Sequence, residues 1–382
     1  MLYDNGPEAP EDGREQCRRG KRNTMNHRAH PQATAGTFRM RIAGLAGLLV
    51  GSLLAAGLCY GAASIPFPIP NMFKPESTPA ASIHRLSLFV LAITGIIFVS
   101  VFWLLVYSVA KFRRRSDDDG SEPPQVYGSN PLELAWTVIP GLIVLVLFLA
   151  TARVIHAIQD APRPGGTLEV TVIGHQFWWE FRYPGLGVVT ANELHVPVSD
   201  PAHPTPSFLT LLSADTDHSF WIPQLNGKTD LIPNRINHMW IDPQEEGVFL
   251  GQCAQYCGVQ HAKMLLRVYV DSHEQFDRWV EQEKKPAERN DAVSAGRRIF
   301  ETTTCINCHA VSGTVADGLF GPDLTHLMSR ETIAAGAAMN TPQNLRLWIR
   351  DPEAIKPGSL MPTMNLNDKE LDAVVAYLET LR

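Results

Sequence analysis

Two apolar runs constrain this chain more than any other feature: LSLFVLAITGIIFVSVFWLLVYSVA at residues 86–110 and LAWTVIPGLIVLVLFLATA at residues 134–152. As a helix the first spans about 37 Å at 1.5 Å per residue, enough to cross a bilayer with some tilt. The second contains Pro140, which a membrane helix tolerates because neighbouring groups re-satisfy the freed carbonyl. The segment between them begins at the membrane edge with Lys111, Arg113, Arg114 and Arg115. By the positive-inside rule that loop is cytoplasmic. A transmembrane hairpin over 80–155, with helices at about 86–110 and 134–155, then leaves both outer ends outside, and everything after residue 155 is external. The alternative, two core helices of a soluble protein, fits their length and flanking charges poorly.

An earlier apolar run occupies residues 42–64. Arg39 and Arg41 precede it and Gly61-Ala62-Ala63-Ser64 closes it. That layout is a signal peptide or an N-terminal anchor, and it predicts the same exported side. Residues 1–41 are polar, charged and without apolar period, so they read as a disordered leader. The net charge of -6 gives no reason to expect nucleic acid as a partner.

From Thr167 the pattern changes to short alternating segments rich in β-branched and aromatic residues: LEVTVIGHQFWWEFRYPG, NELHVPV, FLTLLSA, HMWIDPQEEGVFLGQC and RVYVD. Short antiparallel strands at this spacing predict an all-β sandwich or barrel within 156–280. A helical period returns only at SHEQFDRWVEQEKK, residues 272–285.

The β segment carries GQCAQYCGVQHAKM. Cys253 and Cys257 lie four apart, His261 follows four later and Met264 three after that. His218 sits upstream in DHSFWIP. Two thiolates, two imidazoles and a thioether are a soft to borderline donor set. Zinc uses sulfur and nitrogen but has little use for methionine, whereas copper takes thioether ligands. A second cysteine permits two bridging thiolates and hence two coppers. A Cys253–Cys257 disulfide is the plain alternative, and it leaves His261 and Met264 without purpose. Cys17 and Cys59 receive no role.

On these residues the chain resembles subunit II of the haem–copper cytochrome c oxidases. The family pattern is a histidine in an H-S-F segment, then C-x-[EQ]-x-C-x3-H-x2-M, matched by His218, Cys253, Gln255, Cys257, His261 and Met264. NPLELAWTVIP at 130–140 and HSFWIPQLNGKTDLIPNRIN at 218–237 also resemble the family. The resemblance implies a cupredoxin domain with a dinuclear copper A centre. In it the cysteine sulfurs bridge the metals, each histidine binds one, and Met264 and the Gln255 backbone carbonyl complete the shells. Many members carry glutamate at the position of Gln255 and use it for magnesium, so magnesium is left out here. The family's aromatic run for electron input is typically Trp-Tyr-Trp. The matching run is Phe177, Trp178 and Trp179, with Phe177 at the input position. His175 reads as structural.

Residues 281–290, EQEKKPAERN, read as a linker. Within 291–382 lies CINCH, the attachment signature for c-type haem. Cys305 and Cys308 would hold one haem c covalently and His309 would bind its iron. The surroundings resemble an all-α class I cytochrome c domain. DAVSAGRRIF matches its first helix, with Gly296 and Phe300 on the packing face. GPDL matches the loop whose proline carbonyl, here Pro322, accepts from the proximal histidine. KPGSLMP supplies Met361 as the sixth ligand, with Met364 as alternative. Leu371, Val374, Leu378 and Leu381 form a core stripe behind a capping box of Asn367 and Glu370.

The resemblance therefore implies the electron-input subunit of a respiratory terminal oxidase with cytochrome-c oxidase activity, coupled to proton translocation by the complex. It would sit in a bacterial cell membrane. Subunits I and III would be its partners, and an external cytochrome c or an upstream respiratory complex its donor. A copper-containing subunit of a nitric oxide reductase is the alternative. Quinol oxidases lack the copper ligands, a metallochaperone has no use for a haem domain, and nitrous oxide reductase needs a further histidine-rich domain.

Overall fold

The computed structural model describes residues 71–113, 120, 122, 124–125, 127–160 and 163–382. The expected leader at 1–41, the signal-like run at 42–64, Cys17, Cys59, Arg114 and Arg115 lie outside the described residues.

Two long helices come first, α1 (Thr78–Lys111) and α2 (Asn130–Gln159). Each has proline in its first turn, where no donor is lost. Both are apolar enough to cross a membrane. Their apolar side chains point outward all round, as in Phe98, Trp103, Leu104, Leu134 and Phe148, so lipid or another apolar helix must cover them. Each helix extends beyond its apolar run, since polar residues continue the helix where water replaces lipid.

Those extensions are stitched to the β domain. The Asp242 amide donates to Ser77 Oγ at 2.9 Å, and Thr78 Oγ1 bonds Asp242 Oδ2. At the end of α2, Trp240 Nε1 donates to the Ile158 carbonyl at 2.5 Å. The hairpin is thus seated against the β domain at both of its outer ends.

The β domain is two five-stranded sheets around one core. Its strands are β1 (Glu169–His175), β2 (Trp178–Tyr183), β3 (Val188–Ala191), β4 (Glu193–Pro197) and β5 (Ser207–Ser213). They continue as β6 (His218–Trp221), β7 (Thr229–Leu231), β8 (Asn237–Ile241), β9 (Gly247–Cys253) and β10 (Leu265–Asp271). Sheet order is β3-β2-β1-β5-β8 and β4-β10-β9-β6-β7. Val170 and Val172 of β1 face inward, as period-2 alternation requires. Phe181, Tyr183, Phe220 and Leu231 meet them from both sheets.

The strand spacing predicts antiparallel strands throughout. The sheets are mixed: β1 pairs β5 in parallel, and β10 pairs β4 in parallel. Parallel neighbours need a crossover, and the chain makes it by passing through the opposite sheet between the paired strands. The run from Leu168 to Tyr183 also folds back on itself, with His175 paired to Trp178.

The helix α3 (His273–Glu283) opens on a Ser272–Gln275 capping box. It takes the first three residues of the expected linker, and the rest is pinned. Ala287 N donates to Ser312 O at 2.9 Å, and His326 Nε2 bonds Lys285 O at 3.0 Å. A flexible tether is replaced by an ordered connection, because its backbone groups find partners in the C-terminal domain.

That domain contains α4 (Ser294–Thr302), α5 (Cys305–Cys308), α6 (Pro342–Arg350), α7 (Pro352–Ile355) and α8 (Asp368–Leu378). A small hairpin of β11 (Thr332–Ile333) and β12 (Ala338–Met339) adds to the all-α expectation. The capping box of Asn367 and Glu370 is present. Leu371, Val374, Leu378 and Leu381 are all buried against Phe300. A Cβ on Gly296 would lie 1.8 Å from the Ala373 carbonyl oxygen, so only glycine lets α4 and α8 approach this closely.

The two domains pack directly. Glu193, 3 % exposed, accepts from Glu331 N at 3.1 Å, Thr332 N at 3.0 Å and Thr332 Oγ1 at 2.9 Å. Lys263 Nζ donates to Ile355 O at 2.9 Å, and Gln260 Nε2 bonds Pro357 O.

Candidate metal and cofactor sites

The first site lies where β9 ends, in the loop between β9 and β10. Cys253 is the last residue of β9, and Phe220 of β6 is its cross-strand neighbour. That register carries His218, at the start of β6, to the same end of the sheet. The loop returns through a short helical turn at His261–Lys263, and Cys253 N donates to Met264 O at 3.0 Å. Four sequence-predicted residues are thereby gathered around two sulfurs.

The Cys253 and Cys257 Sγ atoms are 3.9 Å apart, far beyond a disulfide bond of about 2.0 Å. His218 Nδ1 lies 3.9 Å from Cys253 Sγ, and His261 Nδ1 lies 3.8 Å from Cys257 Sγ. Met264 Sδ is 3.9 Å from Cys257 Sγ, and the Gln255 carbonyl is 3.1 Å from Cys253 Sγ. Two sulfurs thus sit centrally with one imidazole beyond each. His218, Cys253, Cys257 and Met264 are buried.

The thiols titrate as a pair. A hydrogen bond between the sulfurs holds Cys253 as thiolate, well below the usual thiol range, and that neighbouring thiolate pushes Cys257 up. A cation between them would relieve the repulsion and favour both deprotonated forms. Soft sulfur donors with imidazole and thioether suit copper best.

Residues that sequence reasoning missed shape this site. Asp215 Oδ1 bonds His218 Nε2 at 2.8 Å, which leaves Nδ1 to face the sulfurs. Burial works against the charge on both groups. Their mutual bond nevertheless holds His218 above its ordinary value and Asp215 below its own. An aspartate three residues before a candidate histidine was the available signal. Gly174 packs under the ring: a Cβ there would sit 2.8 Å from His218 Cδ2.

The second site is a cavity of about 260 Å³ in the C-terminal domain, closed on one side by the β domain. Cys305, Cys308, His309, Met361 and Met364 all line it. His309 Nδ1 lies 2.8 Å from the Pro322 carbonyl, so Nδ1 carries the proton and Nε2 keeps its lone pair. Burial lowers the pKa of His309 and keeps the ring neutral. Thr304 Oγ1 donates to Met364 Sδ at 3.3 Å, whereas Met361 Sδ has no such partner among the described residues. An apolar cavity with a neutral imidazole, two thiols and thioethers on its wall fits a large flat metallocycle.

The aromatic run connects the two sites. Phe177, 7 % exposed, and Trp178 line the cavity. Trp178 stacks on His175 at 4.2 Å. His175 in turn bonds Glu180 at 2.9 Å, a structural arrangement. Trp179 is fully buried and meets the His218 ring in a T-shaped arrangement, 6.0 Å between centroids. Gln176, also at the cavity, donates through Nε2 to the Cys257 carbonyl at 2.6 Å.

Three family descriptions match the chain. They are "Cytochrome C oxidase subunit II, transmembrane domain" at residues 66–154, "Cytochrome C oxidase subunit II, periplasmic domain" at 201–270 and "Cytochrome c" at 293–382. Cytochrome c oxidase subunit 2 of Alkalihalophilus pseudofirmus is 37 % identical over 304 residues, covering 78 % of this chain and 85 % of that protein. The subunit 2 of Bacillus sp. strain PS3 is 35 % identical over 291 residues, covering 71 % of this chain and 80 % of that protein. The solved periplasmic domain of cytochrome oxidase subunit II from Bradyrhizobium japonicum is 29 % identical. The match covers 32 % of this chain and 97 % of that one, with a TM-score of 0.30. By its sequence relatives, the chain belongs to the cytochrome c oxidase subunit 2 family, with a cytochrome c domain at its C-terminal end, and is a subunit of an oxidoreductase complex.

Proposed function

We propose that this chain feeds electrons into a respiratory haem–copper terminal oxidase through two centres of its own. One haem c is attached to Cys305 and Cys308, with iron held between His309 and Met361. Two copper ions are held by His218, Cys253, Cys257, His261, Met264 and the Gln255 carbonyl. Electrons pass from the haem to the copper pair and on to the oxygen-reducing site of subunit I, coupled to proton translocation by the complex. Phe177, Trp178 and Trp179 lie between the two sites and are the input run. A carbonyl ligand survives glutamine at position 255.

The carrying observation is the convergence of two free thiols 3.9 Å apart with one imidazole Nδ1 within 4 Å of each. Methionine opposite histidine raises a haem potential, which suits a carrier. The two apolar helices anchor the chain in a bacterial cell membrane. Lys111 and Arg113 mark the cytoplasmic side, and the β and cytochrome domains face the periplasm or cell exterior. Subunits I and III are the partners, and an external cytochrome c or upstream complex is the donor to the haem.

Optical and EPR spectra of the purified full chain, matured with haem and loaded with copper, test this. A reduced c-type α band and the multi-line hyperfine pattern of a mixed-valence copper pair are expected. A haem band with no mixed-valence copper, while Cys253 and Cys257 are reduced, overturns the copper assignment.

A further inference from the structure

Lys356 is a charged side chain in a mostly apolar wall. It is 3 % exposed and lines the cavity of the C-terminal domain. Its Nζ donates to Phe177 O at 2.7 Å, in the β domain, and to Ala334 O at 3.1 Å, in the C-terminal domain. Burial lowers its pKa to about 7 against a smaller upward pull from Cys257, and no carboxylate contributes to holding the charge. Nor does it form an ion pair with any described residue. Carbonyls take two of the three ammonium protons. A buried ammonium without an anion is costly, by several kcal/mol.

A second cation reaches the same cavity. Arg330, 7 % exposed, donates through Nη2 to Asp323 O at 2.7 Å. Its Nε is buried with no hydrogen-bond partner. Two buried cations on one mostly apolar cavity, of which Arg330 also interacts with the Glu193 and Glu283 carboxylates, suit an occupant that is apolar over most of its surface and anionic at an edge. A haem, with its two carboxylates on one edge of the ring, has that chemistry.

We propose that Lys356 pairs with a haem carboxylate while holding the Phe177 carbonyl, so that one ammonium fixes the haem edge against the β domain. Lys356 is then a positioning residue for electron transfer between the centres, with Arg330 as a second cation on the same cavity. The inference rests on the haem assignment proposed above. It has two measurable consequences. A cation beside the ring favours the electron-rich reduced haem, and a fixed edge keeps the transfer distance short.

The test is Lys356→Met in the full chain within its membrane complex, with Glu193→Gln as control. Glu193 joins the same two domains but does not line the cavity. Haem absorption and the copper EPR signal of the wild type are recorded first; their absence defeats the cofactor assignment rather than this inference. With both present, K356M is expected to lower the reduced-to-oxidised ratio about tenfold at the wild-type midpoint, equivalent to about 59 mV for one electron. It is also expected to slow haem-to-copper transfer about tenfold. E193Q is expected to slow transfer with the midpoint unchanged. An unshifted midpoint in K356M overturns the proposal, as does an equal shift in E193Q. If K356M fails to take up haem, K356R and K356Q give the same decision: retained charge keeps the midpoint, and equal midpoints refute the pairing.

Discussion

In the β domain the candidate ligands sit on a filled core. In the C-terminal domain they surround a hole. Trp179, Phe181, Phe220 and Leu231 are fully buried in the core that carries the sulfur site; the two thiols lie within 4 Å of each other and each has one imidazole within 4 Å. A metal would add charge there but little volume. The helices around His309 instead enclose about 260 Å³. Protein interiors otherwise close-pack, so this cavity is the domain's candidate ligand site. Donor placement in the first follows from sheet register and one loop, and in the second from short helices and loops that bring Cys305, Cys308, His309 and Met361 to the wall of one cavity.

Blocking occupancy gives the largest expected effect. Walls that lose an occupant lose the contacts on one side of their lining, and a loss of a few kcal/mol is a large share of a small domain's stability. Replacing Cys305 and Cys308 by alanine is expected to melt the C-terminal helices while the β domain stays folded. Domain-resolved hydrogen exchange would show protection lost at 294–378 and retained at 169–271. Retained protection at 294–378 would mean that the walls hold without a ligand.

Gly296→Ala probes the same domain from its back. A Cβ 1.8 Å from the Ala373 backbone cannot be relieved by a rotamer change. Separation of α4 from α8 is expected to cost about 3 kcal/mol, read as a lower denaturation midpoint for haem absorbance. The matching change in the filled domain is Gly174→Ala. Its Cβ meets the His218 ring, at 2.8 Å from Cδ2, at a cost of about 2 kcal/mol. Copper EPR is expected to change while the haem spectrum stays as in the wild type. A change in both spectra would show the domains to be less independent than their cores suggest.

How legible each region was follows the same division. Cys253, Cys257, His261 and Met264 share one loop, so their spacing alone put them together. His218 needed the register of β6 on β9, which alternation does not encode. Alternation assigns faces but not neighbours, and for that reason the parallel β1–β5 and β4–β10 pairs were not foreseen. CINCH and the stripe on α8 were readable as local patterns. Lys356 and Glu193 look in sequence like ordinary loop and strand-edge charges. Their burial exists only once two domains meet, and nothing periodic announces it. Gly174 and Gln176 were hidden for a related reason: each acts through space on a residue more than forty positions away.

The smallest expected effect concerns the seam between the two regions. Glu180 bonds His175 at 2.9 Å and Arg182 at 2.5 Å, and His175 stacks on Trp178 at the cavity wall. Burial raises the Glu180 carboxyl, but the bonds from His175 and Arg182 outweigh it and hold the group below 4.5. A carboxyl depressed on folding contributes stability that is complete above its unfolded value. That contribution is lost as pH falls through the folded value. The wild type is therefore expected to lose β-domain stability below about pH 4.5 through this group. Glu180→Gln keeps an acceptor but no charge. It is expected to cost about 1.5 kcal/mol at pH 7 and to flatten the acid limb of the stability profile. Denaturant midpoints from tryptophan fluorescence at pH 7 and in the acid range would measure both. Parallel acid limbs in the two proteins would place the charge that matters elsewhere on the seam. A flattened limb with unchanged haem spectra would show that the Glu180 charge stabilises the β domain without shaping the surroundings of the haem.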